Sequence, residues 1–158
     1  MTAAMTDVVL DLADEAATAR LGRRLAAVAR PGDVIGLEGP LGSGKTTLAR
    51  AFIRALTDDA EEVPSPTFTL VQTYETPRGL IWHFDLYRLQ RAEEVIELGI
   101  DEAFADGICL VEWPDRLGAW LPARRLTVSL SEGRRAGGRR VRLSGDDSWS
   151  NRLAEVTG

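Results

Sequence analysis

The stretch 39-GPLGSGKTT-47 constrains this chain more than any other feature of it. From Gly39 to Thr46 it has the form G-x-x-x-x-G-K-[ST], a spacing suited to phosphate. A glycine-rich turn presents consecutive backbone N–H groups to one anion. Gly42 and Gly44 permit backbone angles and a close approach that a Cβ would obstruct. The flanks agree. VIGLE (34–38) is a short apolar run fit for a buried strand. From Lys45 to about Leu56, Leu48, Phe52 and Leu56 recur on one helical face. Such a helix aims its positive N-terminal end at the same anion.

The motif also holds the only lysine among 19 Lys and Arg residues. A compact ammonium on a flexible stem fits among phosphate oxygens, where a broad planar guanidinium does not. Lys45 is expected to reach the β- and γ-phosphates of a nucleotide, and Thr46 to offer its hydroxyl to Mg²⁺.

A chain of 158 residues, 44% apolar and 27% charged, predicts one globular domain over 1–158 with a real core. A net charge of −5 argues against a mainly electrostatic nucleic-acid binder. A single cysteine, Cys109, excludes an internal disulfide and fits a reducing compartment. The start lacks the basic and apolar pattern of a secretory signal, and no apolar run is long enough to span a membrane. The expectation is a cytoplasmic protein.

Periodicity predicts a first strand at 8–12 and a helix from Asp14 that stops at Pro31-Gly32. After the stiff Pro64-Ser65-Pro66 link, runs 67–74 and 80–87 flank ETPRG, predicting an antiparallel hairpin. Short helices are expected at 92–98 and 101–105, broken at Gly99. ICLVE (108–112) reads as a buried strand, and 126–130 with 139–143 as a second hairpin. Trp149, Leu153 and Val156 predict a closing helix.

A nucleotide site of this kind needs a further acid at a strand end. Asp85 ends LIWHF and Glu112 ends ICLV, and ligands of open α/β sheets lie beyond strand carboxyl ends. Spacing alone does not say which acid meets the metal and which acts on water. Thr67, after Pro66, is either a sensor of the γ-phosphate or an ordinary β-branched strand residue.

Other residues carry open readings. His83, the sole histidine, could orient Asp85, touch a partner or sit as a satisfied strand histidine. Arg88 is a transition-state cation, a partner contact or a surface ion pair. Trp113 is core or interface. Arg134, Arg135, Arg139, Arg140 and Arg142 form a basic hairpin, for which a solvated surface or an acidic partner is favoured over tRNA. Cys109 reads as a buried thiol.

Taken together these segments resemble the bacterial TsaE (YjeE) family, the ATPase component of tRNA threonylcarbamoyladenosine biosynthesis. The resemblance rests on G-P-L-G-S-G-K-T-T (39–47), S-P-T-F-T-L-V (65–71), H-F-D-L-Y-R-L (83–89), E-L-G-I (97–100) and L-V-E-W-P (110–114). Pro40, Ser43 and Asp115 depart from the family's usual Asp, Ala and Glu, and none removes a group the chemistry needs. The resemblance implies an α/β, P-loop NTPase-like three-layer fold, with a mainly parallel sheet and flanking antiparallel strands. It implies ATP and Mg²⁺, with Gly39, Pro40, Leu41, Gly42, Ser43, Gly44, Lys45, Thr46 and Thr47 cradling the nucleotide. Thr18 is then near the base, Thr46 and Glu112 are on the metal, Asp85 orients water and Thr67 acts as a switch. The implied partners are TsaD and TsaB proteins, which carry out the transfer to tRNA. Two competing functions are a small-molecule P-loop kinase, with Arg124 and Arg125 as an arginine-bearing lid, and a nucleotide-gated binding module.

Overall fold

A computed structural model describes residues 5–66 and 69–158. Thr67 and Phe68, and with them the proposed switch threonine, lie outside the described residues. The strands are β1 (Thr6–Leu12), β2 (Val34–Glu38), β3 (Val71–Thr76), β4 (Gly79–Asp85), β5 (Ile108–Glu112), β6 (Leu126–Glu132) and β7 (Arg139–Gly145). The α-helices are α1 (Glu15–Val28), α2 (Lys45–Leu56), α3 (Ile100–Asp106) and α4 (Ser150–Thr157).

The strands form one sheet in the order β1-β7-β6-β2-β5-β4-β3. Its centre, β6-β2-β5-β4, is parallel. The edges are antiparallel: β3 on β4, and β7 between β6 and β1. The central strands carry continuous apolar runs because both faces are covered. In β5 every residue is buried. Ile108 and Leu110 enter one core cluster, with α1, α2 and α4, while Cys109 and Val111 enter the other, with α3. This is a three-layer, P-loop NTPase-like α/β fold.

Local chemistry accounts for the helices that flank the glycine loop. The Asp14 carboxylate caps α1, accepting from the Ala17 N–H at 2.9 Å. Leu21, Leu25 and Ala26 then form its buried face. Helix α2 buries Leu48, Ala49, Phe52 and Ile53. The two helices cross at Gly22, where a Cβ would stand 2.5 Å from the Leu48 carbonyl oxygen. Helix α4 closes the same layer. There Arg152 pairs with Asp33 at 2.7 Å and lies 3.7 Å over the Trp149 ring.

Both expected hairpins form, with shifted limits. Leu70 adopts a left-handed φ of 67° and donates its N–H to the Pro66 carbonyl, and β3 begins after it, at Val71. Strand β4 ends at Asp85, where the Leu86 N–H makes the last bond to β5, to the Glu112 carbonyl at 3.2 Å. The segment Ala92–Ile96 is a 3₁₀ helix, divided from α3 by Gly99 at φ 86°. A further 3₁₀ segment, Pro114–Trp120, has no counterpart in the sequence reading. No helix among the described residues is long and apolar enough to cross a membrane.

Candidate functional site

The strand order brings the loop and both acids to one end of the sheet. β5 lies directly beside β2, with Leu37 opposite Glu112. β4 lies one strand further out, with Asp85 opposite Glu112. Two-residue alternation puts His83, Asp85 and Glu112 on one face of the sheet.

There a cleft of about 580 Å³ is lined by Thr18, Leu41 to Thr47, Ser65, Asp85 and Glu112. Gly39 and Pro40 stand behind this lining and act through their carbonyls. The Lys45 ammonium donates to Gly39 O and, at 3.0 Å, to Pro40 O. Gly42 and Gly44 hold φ of 77° and 106°, left-handed values that strain residues bearing a Cβ. The loop therefore curls, and α2 begins at its end. Leu41 is 70% exposed at the mouth. The Thr47 hydroxyl donates to Glu15 Oε1 at 3.3 Å, joining α2 to the start of α1. Thr18, 1% exposed, places its methyl group 3.4 Å from where a Gly44 Cβ would lie.

Asp85 and Glu112 are both buried, at 6% and 3% exposure. Asp85 Oδ1 accepts the Tyr87 N–H at 3.1 Å. Glu112 Oε2 lies 2.8 Å from His83 Nε2. Burial pushes the Lys45 pKa down, while the Glu112 and Asp85 carboxylates oppose that shift.

Several lining residues carry only open readings from the sequence. Trp113 takes a left-handed conformation, φ 60° and ψ 52°, directly after Glu112. Its ring comes within 4.3 Å of the Lys45 ammonium and packs on Tyr87 at 5.0 Å. Arg88 also faces the cleft. Arg139, read only as part of a basic hairpin, turns inward. Its Nε donates to Ser43 O and its Nη2 to Gly42 O, both at 2.9 Å. The remaining arginines of that hairpin do not line the cleft, and Arg142 pairs with Asp7 of β1 at 3.2 Å. Arg124 and Arg125, offered as a kinase lid, lie elsewhere. Arg124 reaches Asp146 at 3.5 Å and Arg125 donates to Pro122 O at 2.8 Å.

The donor set fits Mg²⁺ held together with phosphates. Thr46, Asp85 and Glu112 offer only oxygen, and the ion commonly takes one or two carboxylates beside phosphate oxygens. Among the described residues no group of three or more His, Cys, Asp and Glu could hold a metal without such help. The glycine loop, helix N-terminus and lysine are groups suited to an anion, next to these oxygens.

Comparison with known proteins agrees with this arrangement. A family model described as "Threonylcarbamoyl adenosine biosynthesis protein TsaE" matches residues 12–141. The tRNA threonylcarbamoyladenosine biosynthesis protein TsaE of Rickettsia bellii is 39% identical over 119 residues, covering 75% of this chain and 83% of that protein. The protein of the same name from Bacillus subtilis is 41% identical over 112 residues, covering 70% of this chain and 69% of its own. The crystal structure of YdiB from Bacillus subtilis superposes with a TM-score of 0.80 at 28% identity, covering 99% of this chain and 97% of that one.

Proposed function

We propose, because this chain belongs to the TsaE family of threonylcarbamoyl adenosine biosynthesis proteins, that it is the accessory Mg²⁺-dependent ATPase of that tRNA modification. In this reading it acts in the cytoplasm on a TsaB–TsaD complex, transfers no threonylcarbamoyl group itself, and meets tRNA only through those partners. The observation that carries the reading is the convergence of Lys45, Thr46, Asp85 and Glu112 on one cleft.

Each role follows from position and chemistry. The amides of Leu41 to Thr47 and the N-terminus of α2 bind phosphate oxygens. The Lys45 ammonium has three donors. Two are directed to Gly39 and Pro40, which leaves a third for a phosphate oxygen. Thr18 and the start of α1 bound the end of the cleft assigned to the base. Thr46 and Glu112 would hold Mg²⁺; Glu112 ends the strand next to the loop strand, so it is the nearer of the two acids by strand order. When bound, Mg²⁺ would supply positive charge to offset the charge that builds on the phosphate oxygens. Asp85, one strand further out, accepts a hydrogen bond from water and orients it for in-line attack on the γ-phosphate. Thr67 senses the γ-phosphate and signals it to the partner surface.

The test is ATP hydrolysis with Mg²⁺ by the purified protein, alone and with a TsaB–TsaD complex. Weak turnover alone and clear stimulation by the complex are expected. Bound nucleotide without stimulation, and ATP loss that needs a small hydroxylated acceptor, would instead support the kinase reading.

A further inference from the structure

His83 is buried, 1% exposed, on β4 two residues before Asp85. Its ring reaches across to β5, where Nε2 meets Glu112 Oε2 at 2.8 Å. Both side chains are shielded from water, at 2% and 4% exposure. An ionised carboxylate only accepts, so the proton in this contact sits on Nε2. Nδ1 is buried as well and has no hydrogen-bond partner among the described residues. The only partner the ring has among the described residues is therefore Glu112, reached through Nε2. Along the same face of β4 and β5 the neighbouring Ile81, Ile108 and Leu110 are apolar. A histidine enters this core face only where it can reach a carboxylate that lines the cleft.

We infer that His83 is a positioning residue for Glu112. It holds Oε2 and so fixes the orientation in which this carboxylate faces the nucleotide cleft. The inference rests on the reading of Glu112 as a Mg²⁺ ligand.

The test measures binding of a fluorescent, non-hydrolysable ATP analogue as a function of Mg²⁺. Wild type is compared with Glu112→Ala, His83→Phe, His83→Asn and His83→Gln. Hydrogen-bond partners of metal ligands typically contribute about 10- to 100-fold in metal affinity. His83→Phe should therefore raise the half-saturating Mg²⁺ by roughly that factor, with analogue binding in chelator unchanged. Gln carries an amide N–H to about the reach of Nε2 and should restore the wild-type midpoint. Asn is too short and should not. Should His83→Phe fail to fold, the Asn and Gln pair decides alone. A folded Phe or Asn variant with the wild-type Mg²⁺ midpoint overturns the inference, as does a folded Gln variant no better than Asn. If Glu112→Ala also keeps the wild-type midpoint, the assignment of Glu112 itself is what has failed.

Discussion

Lys45 and Asp85 face one cleft from different elements, and their proposed roles separate under substitution. Lys45→Ala removes a charged donor, and hydrogen bonds to charged groups contribute about 1.5–3 kcal/mol. Nucleotide affinity should fall by roughly 10- to 100-fold, read by equilibrium binding of a fluorescent ADP. Asp85→Ala should leave that affinity near wild type while hydrolysis falls by roughly 100-fold or more, within the range for a lost proton-accepting group. Normal turnover in Asp85→Ala would remove Asp85 from the mechanism. These residues were legible in the sequence because each marks the end of an apolar run or the start of a helix. Arg139 was not: its guanidinium ties down the carbonyls of Gly42 and Ser43, more than ninety positions away, and in sequence it sits among other hairpin arginines.

Among the elements, the crossing of α1 and α2 sets how the glycine loop is seated, since α2 starts where the loop ends. Two effects compete at Gly22. Glycine to alanine in a helix interior gains about 1 kcal/mol of propensity. The new Cβ would stand 2.5 Å from the Leu48 carbonyl, a backbone atom that cannot rotate aside. Overpacking of this kind costs about 1–3 kcal/mol, so the clash outweighs the gain. Gly22→Ala should unfold at lower denaturant, by up to about 2 kcal/mol, as measured by urea titration. A variant more stable than wild type would mean that the two helices separate without penalty. The turn after β5 depends on tertiary contacts in a comparable way. Trp113 holds its left-handed backbone with its N–H on the Leu37 carbonyl at 3.3 Å and its ring against Tyr87.

For the molecule as a whole, Cys109 is a probe of global opening. It is fully buried on the central strand β5, donates to the Ala103 carbonyl at 3.2 Å, and its pKa is pushed up to about 12 by burial first and by Asp33 second. The thiolate is the reactive form, so at pH 8 the folded protein should resist thiol reagents. Labelling should then proceed through opening, and Mg²⁺ with a non-hydrolysable ATP analogue at about 100 times its dissociation constant should slow it by up to roughly 100-fold. Labelling at the rate of a free thiol would contradict the packing of β5.

The chain order alone determined the local pieces. Strand 34–38, the glycine loop, helix α2 and the acids at the ends of two apolar runs follow from periodicity and from the angles that glycine permits, which are properties of neighbouring residues. Which acid stands next to the loop did not follow, because strand order depends on which apolar faces bury each other across the chain. The tertiary structure placed β5 between β2 and β4, setting Glu112 beside the loop strand and Asp85 one strand away. It also set His83 on Glu112 and Arg139 on the loop, contacts between residues 29 and 96 or more positions apart. Such contacts exist only once the sheet has assembled, since packing distant apolar runs is what brings their polar ends together.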